Sequence, residues 1–284
     1  MAEIIDGKLV SSKVREEIRA NIEELKEASG IIPGLAVILV GDNPASQVYV
    51  RNKHKACSDV GINSIQIYMP EETTEAELLD KIRELNDASD VHGILVQLPL
   101  PRHINEEAVI NSIAPSKDVD AFHPINVGKI MTGSYSFLPC TPAGIMTLLD
   151  YYSIDITGKK CVIVGRSNIV GKPMALLLLE KNGTPTICHS RTKDLSLVTR
   201  EADILVVAIG KPCFIGQNDV KEGAVVIDVG INRLENGKLV GDVDFNAVEK
   251  KASYITPVPG GVGPMTITTL LQNTLTAAKN TLKK

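Results

Sequence analysis

Three features of the 284-residue sequence predict an α/β fold in two domains. Helix and strand signals alternate along the chain, most strand candidates are short unbroken apolar runs, and the alternation lapses once, between about residues 111 and 141. The length agrees, since roughly 150 residues per domain gives about two. A chain of this size buries about three-quarters of the surface it exposes when unfolded. With 44% hydrophobic and 23% charged residues, 22 Gly and 15 Pro, its composition excludes a disordered chain, a collagen and a coiled coil.

Leu9, Val14, Ile18, Ile22 and Leu25 recur at helical spacing and predict a helix over 8–28, with Gly30 as its stop. The run 35–40, between Gly34 and Gly41, has no polar face and predicts a buried strand. A helix over 44–60, ended by Gly61, a strand at 65–68, a helix over 75–85, a strand at 93–97 and a helix after Asn105 follow. Strand, helix, strand at these lengths implies βαβ units on a mostly parallel sheet. Pro115, Pro124, Gly128, Gly133, Pro139 and Pro142 then mark loops and a linker. Thr141 and Pro142 suit an N-cap and a first helical position. Beyond them come strands at 160–164, 184–189, 203–208 and 224–229, with helices at 171–181 and near 194–200. A Gly/Pro-rich loop, 257–264, precedes a last helix over 266–282. The expected domains are 1–140, joined by the C-terminal helix 265–284, and 141–264, with a cleft between them.

Several function classes drop out. The net charge of −4 offers no basic field for a nucleic acid. No apolar run reaches the ~18 residues of a membrane span, and the run 174–179 stops at Glu180. Glu3 and Asp6 stand where a signal peptide needs a basic start and an apolar core. The five cysteines are an odd number without a C-x-x-C pair, which argues against a disulfide framework and a metal cluster. The expectation is a soluble protein of a reducing cytoplasm.

The apolar run 161–164 leads into Gly165, Arg166, Ser167, Asn168, Ile169, Val170 and Gly171. Strand, tight turn and helix start is the context in which backbone N–H groups hold a pyrophosphate. Ser167 and Val170 replace the second and third glycines of the usual spacing, so the turn by itself fits any Gly-bounded βα connection. The end of the next strand decides further. It runs into Ser190 and Arg191, a hydroxyl and a guanidinium, where an acid would accept the ribose 2′-OH of NAD. With Arg166 in the turn, this favours the 2′-phosphate of NADP.

In the first half, Tyr49 and Lys53 are i, i+4 neighbours on one helix face, with Ser46 a turn earlier. Ring and ammonium together make a stacking platform beside a proton handler, though the spacing also fits a surface pair. The run 51–55 reads as a solvated face. Gln97 ends a strand and Leu98 follows it, ahead of stiffening prolines at 99 and 101, where open sheets bind ligands. Lys117, Asp118 and Asp120 form a charged loop near the end of the first domain. Gly260, Gly261 and Gly263 permit close backbone approach, with prolines stiffening both ends of that loop.

Taken in order, 46–53, 97–101, 117–120, 139–142, 165–173, 228–232 and 257–266 give the chain a pattern that resembles the bifunctional methylenetetrahydrofolate dehydrogenase/cyclohydrolase family. The resemblance covers nearly the whole chain. It implies NADP-dependent oxidation of 5,10-methylenetetrahydrofolate to the methenyl form, hydrolysis of that form to 10-formyltetrahydrofolate, a Rossmann-type second domain and a homodimer formed through it. Lys53 would be the central catalytic group, Tyr49 the folate platform, Gln97 the residue that orients Lys53, and Asp120 the pterin's hydrogen-bond partner. Leu98, Pro259, Gly260 and Gly261 would line the folate site; Gly165, Arg166, Ser167, Ser190, Arg191 and Ile231 the NADP site. Ala121 departs from the family's usual glycine. A dehydrogenase without the hydrolase, or a nucleotide-binding protein without turnover, is the alternative; intact Lys53 and Gln97 weigh against both.

Overall fold

A strand whose every residue is apolar needs cover on both faces, and a helix after each strand supplies it. The computed structural model describes residues 1–282 and follows that logic. In chain order the first elements are β1 (Glu3–Ile4), α1 (Gly7–Ser29), β2 (Gly34–Val40), α2 (Pro44–Val60), β3 (Asn63–Met69), α3 (Glu75–Asp87), β4 (Gly93–Val96), α4 (Glu106–Ser112) and α5 (Pro124–Thr132). After them come α6 (Cys140–Tyr151), β5 (Lys160–Val164), α7 (Gly171–Glu180), β6 (Thr184–Cys188), α8 (Leu195–Thr199), β7 (Ile204–Val207) and β8 (Val225–Asp228). The chain ends with β9 (Asn232–Arg233), β10 (Leu239–Val240), α9 (Phe245–Val248), β11 (Tyr254–Ile255) and α10 (Val262–Thr281).

Two units emerge: residues 13–138 with 267–284, and residues 1–12 with 139–266. Among the described residues, the first holds a parallel sheet in the order β3-β2-β4. Side chains two apart share a sheet face. Ala36, Ile38 and Val40 of β2 with Ile94 and Val96 of β4 therefore make one wall, covered by Leu78, Ile82 and Leu85 of α3, Val109 of α4 and Ile113 just after it. Leu35, Val37 and Leu39 point the other way and are equally buried. The start of α3 is set by a capping box, in which Thr74 Oγ1 accepts from Glu77 N and Glu77 Oε2 accepts from Thr74 N.

The second unit holds a six-stranded parallel sheet ordered β1-β11-β8-β7-β5-β6. Its core takes Val162 and Val164 of β5, Leu205 and Val207 of β7, Val226 of β8 and Ile255 of β11. One edge of this sheet corrects the expected domain division. Residues 1–12 were assigned to the first domain, but β1 pairs with β11, Glu3 opposite Tyr254 and Ile4 opposite Ile255. Asp6 then starts α1 by accepting from Lys8 N and Leu9 N, while its own N–H donates to Tyr152 Oη. Gly7 sits so close to the 257–264 loop that a Cβ there would lie 1.7 Å from the Gly261 carbonyl oxygen.

Other differences have local causes. The expected loop region contains α5, which His123 caps through Ile125 N, with Pro124 at the first position and left-handed Gly133 at the end. Helix α6 begins at Cys140 rather than after Thr141, and Thr141 Oγ1 instead meets Thr266 Oγ1 at 3.0 Å. Helix α10 begins at Val262, because Pro264 falls in its first turn, where a missing N–H costs nothing. The two-residue strands β1, β9, β10 and β11 are too short to show periodicity. No helix among the described residues is long and apolar enough to cross a membrane.

Candidate active site

Parallel strands bring the segments that follow them to one edge of a sheet, where Gln97 follows β4, Arg166 follows β5 and Ser190 follows β6. In the first unit β2 feeds α2, whose start is fixed by Asn43 Oδ1 accepting from Ser46 N and by Pro44 at the first position. Val50, Ala56 and Cys57 bury one face of α2. Tyr49 and Lys53 share another, with the Tyr49 residue 40% exposed and its ring free to stack, and Lys53 half-buried. Ser46 is buried and belongs to the packing. Arg51, Asn52 and Lys55 form a solvated face, from which His54 departs by burying Nδ1 without a hydrogen-bond partner.

Gln97 follows β4 directly, its N–H donating to Ile38 O at 2.9 Å across the sheet. Its amide is fixed at both ends. Nε2 donates to Leu98 O at 2.7 Å, so Oε1 is the end that accepts from Lys53 Nζ at 3.1 Å. Lysine and glutamine are thereby brought together from segments 44 residues apart. Burial pushes the Cys57 thiol, one turn beyond Lys53, up to about 12, which keeps it neutral and removes it as a nucleophile.

The loop 117–120 divides its charges between scaffold and site. Lys117 Nζ donates to Leu85 O and Ala88 O at the end of α3. Asp118 is buried and accepts from Phe122 N, His123 N and Asn126 Nδ2. Burial raises its pKa, against the pull of those donors. Asp118 also bridges Ile94 in parallel register, and the chain then turns, with Ala121 N donating to Asp118 O, so Asp120 lies in the turn beside β4. Asp120 is half-buried and, with Leu98 and Phe122, lines a small cavity beside β4. Ala121 is fully buried at φ +57°, a left-handed conformation that glycine adopts with less strain than alanine.

In the second unit Gly165 has φ +131°, and a Cβ there would meet Ala208 O at 2.3 Å. Ser167 Oγ accepts from Val170 N and Gly171 N, closing the turn into α7. Val164 of β5 pairs with Cys188 of β6, so Arg166 and Ser190, each two residues on, leave the sheet at the same level. Arg166, Ser167, Ser190 and Arg191 are all exposed. His189 Nδ1 accepts from Arg191 N, and Thr192 Oγ1 accepts from His189 N, which shapes the Ser190–Arg191 turn. This donor set, free of acids, fits a phosphate ester at the end of β6. Ile231 is 47% exposed beyond β8. Pro259, Gly260 and Gly261 belong to this same unit; Gly260 has φ +110° with Lys8 against it, and a Cβ on Gly261 would strike Thr256 and Pro257. The Leu98–Pro99 and Val258–Pro259 peptides are cis. Among the described residues no group of His, Cys, Asp or Glu could hold a metal ion.

Sequence reasoning passed over Asp228 and Asp242, both fully or nearly fully buried. Asp228 accepts from Gly230 N, Asp242 N and Val243 N. Asp242 accepts from Ile209 N, Gly210 N, Lys211 N and Asn232 Nδ2. All their donors but the Asn232 amide are backbone N–H groups and none is charged, so no spacing of charged residues announces them.

Comparison with known proteins gives two family models. The tetrahydrofolate dehydrogenase/cyclohydrolase catalytic domain matches residues 5–120, and the NAD(P)-binding domain of the same name matches 139–282. The bifunctional protein FolD of Acetivibrio thermocellus is 61% identical over 98% of this chain and 97% of its own length. The crystal structure of the bifunctional FolD methylenetetrahydrofolate dehydrogenase/cyclohydrolase from Campylobacter jejuni superposes with a TM-score of 0.97 at 57% identity, covering 99% and 100% of the two chains. That of the Trypanosoma brucei enzyme, complexed with NADP cofactor and inhibitor, gives 0.96 at 39% identity over 100% and 99%.

Desolvation outweighs three N–H donors at Asp228 and pushes its carboxyl up to about 6. A raised folded-state pKa means that its contribution to stability is fully present below the unfolded value of roughly 3.9 and is lost as pH rises through about 6. Thermal melts of the wild type and Asp228→Asn from pH 4 to 7 should therefore show their difference moving against the wild type as pH rises. A constant difference would mean that Asp228 does not titrate in this window.

Proposed function

The chain belongs to the tetrahydrofolate dehydrogenase/cyclohydrolase family, and from that premise we propose that Lys53, Tyr49, Gln97 and Asp120 carry the folate chemistry of its two reactions. The protein is a bifunctional dehydrogenase and cyclohydrolase of one-carbon folate metabolism. The substrate of the first step is 5,10-methylenetetrahydrofolate, the methenyl cation is its product, and water added to that cation gives 10-formyltetrahydrofolate. NADP, when bound, supplies the hydride acceptor.

The observation that carries the assignment is the Lys53 Nζ to Gln97 Oε1 bond of 3.1 Å. A neutral acceptor orients the amine without pairing it with a counter-charge, as a carboxylate at position 97 would. Lys53 is thus placed to hold or move the proton of the attacking water, a role that contributes typically 10²–10⁴-fold. Tyr49 offers the flat, exposed ring on which a pterin stacks. Asp120, its neighbours Lys117 and Asp118 committed to the scaffold, accepts hydrogen bonds from the pterin's amino and ring N–H groups. Leu98, Pro259, Gly260 and Gly261 are assigned to the folate on the resemblance. Hydride transfer asks chiefly for positioning, so the dehydrogenase step depends less on any one proton-handling group.

Toward NADP, the Gly165 and Ser167 turn holds the pyrophosphate, Ile231 gives an apolar wall, and Arg166, Ser190 and Arg191 take the 2′-phosphate. The relative from Trypanosoma brucei, solved with NADP, supports that choice of nucleotide. The resemblance supports a homodimer through the nucleotide unit. Buried free thiols at Cys57, Cys140, Cys161 and Cys188 suit a reducing cytoplasm.

Two outcomes are expected. Lys53→Met lowers methenyltetrahydrofolate hydrolysis, followed by its absorbance decay, by about 100-fold or more; hydrolysis at the wild-type rate would remove Lys53 from the mechanism. Arg191→Ala raises the KM for NADP roughly tenfold more than that for NAD, as loss of a charge-assisted hydrogen bond requires. Equal changes for both nucleotides would transfer the 2′-phosphate to Arg166.

A further inference from the structure

Ile231 is an apolar residue held 47% exposed, and both of its chain neighbours are tied down by buried acids. Gly230 N donates to Asp228 Oδ1 at 2.9 Å, and Asn232 Nδ2 donates to Asp242 Oδ1 at 2.8 Å. The same Asp242 carboxylate reaches across to the loop after β7, accepting from Ile209 N at 2.7 Å, Gly210 N at 2.9 Å and Lys211 N at 2.8 Å. Asp228 in turn accepts from Asp242 N and Val243 N, so the segment bearing one acid is held by the other. The packing leaves no slack: a Cβ on Gly230 would lie 2.3 Å from Asp242 Oδ1, and one on Gly241 would lie 1.8 Å from Asp228 Oδ2.

We infer that Asp242, with Asp228 beneath it, is the positioning residue of the nucleotide site, fixing the loops after β7 and β8 in the one arrangement that presents Ile231 to NADP. The inference rests on the assignment of Ile231 to the NADP site. The β7–β8 ladder ends with Val229 N donating to Val207 O, and the two loops meet again farther out through Cys213 N to Gly241 O and Ile215 N to Asp242 O. Between those points one carboxylate with four donors ties Ile209–Lys211 to Asn232, because two oxygens offer about four lone-pair sites and all are used here. A buried carboxylate so surrounded is compensated by hydrogen bonds in place of a cation. An asparagine at 242 would turn one of those acceptors into a donor facing N–H groups, and the two loops would separate.

The test compares Asp242→Asn, Asn232→Ala and Ile231→Ala in the full-length protein. NADP affinity is measured by titration calorimetry, the dehydrogenase by steady-state kinetics, and methenyl hydrolysis, which consumes no nucleotide, as the internal reference. Asp242→Asn should weaken NADP binding at least tenfold and raise its KM in parallel, with kcat at saturating NADP and the hydrolysis rate within about threefold of wild type. Asn232→Ala removes one donor of four and leaves the carboxylate in place; it should weaken NADP three- to tenfold and serves if Asp242→Asn does not fold. Unchanged NADP affinity in both, with Ile231→Ala weakening it, would overturn the inference alone. Unchanged affinity in Ile231→Ala would overturn the assignment on which it rests. A fall in hydrolysis equal to the loss of NADP affinity would mark the acids as general stabilisers and also overturn it.

Discussion

The hydrogen bond from Lys53 to Gln97 rests on where β4 stops, beside Ile38 and two residues short of the end of β2. Ile38 of β2 pairs with Val96 of β4, and the Gln97 N–H continues that ladder onto Ile38 O. The chain leaving β2 turns into α2 and brings Lys53 back over the edge that Gln97 occupies. Slipping either strand by one residue would point Gln97 to the opposite face and undo the contact. The fully apolar strand β2, which fixes the register from both faces, is therefore a condition of the chemistry as much as of stability. Asp120 is held beside the same strand, since Asp118 bridges Ile94 of β4 and the turn that follows carries Asp120.

The nucleotide unit repeats the principle with different parts. Arg166 and Ser190, proposed to face phosphate, stand two residues beyond paired positions of β5 and β6, and Ile231, proposed to face the nucleotide, stands beyond β8. Where the ladder stops, other groups must hold the loops. Ser167 does so in the turn after β5 by accepting from Val170 N and Gly171 N, and His189 Nδ1 and Thr192 Oγ1 do so with one hydrogen bond each at the end of β6. At the opposite end the work falls to buried carboxylates, a costlier solution in desolvation but a firmer one, because each joins several N–H groups at once.

Much of this was legible in the sequence. The long helices and the apolar strands announce themselves by period and by glycine boundaries, and the boundaries of β2 and α2 differ from expectation by a residue or none. The groups proposed to touch ligands stand out in the sequence too, because Tyr49, Lys53, Gln97, Arg166 and Arg191 interrupt or end patterned segments. Three kinds of feature were not. Two-residue strands such as β1 have no period, so residues 1–12 could not be traced to the sheet they join. Helix α5 hides behind Pro124 and Gly128, which read as loop signals although one starts the helix. Asp228 and Asp242 answer to backbone N–H groups from three segments, a relation that only the folded chain creates.

A double-mutant cycle between positions 53 and 97 tests the central claim most directly, with methenyl hydrolysis as the readout. If Gln97 acts by holding Lys53, Gln97→Ala slows hydrolysis in the wild-type background and changes nothing further once Lys53 is methionine, giving a coupling comparable to the single effect of Gln97→Ala. Equal, additive effects in the two backgrounds would contradict it and show that Gln97 works independently of the lysine.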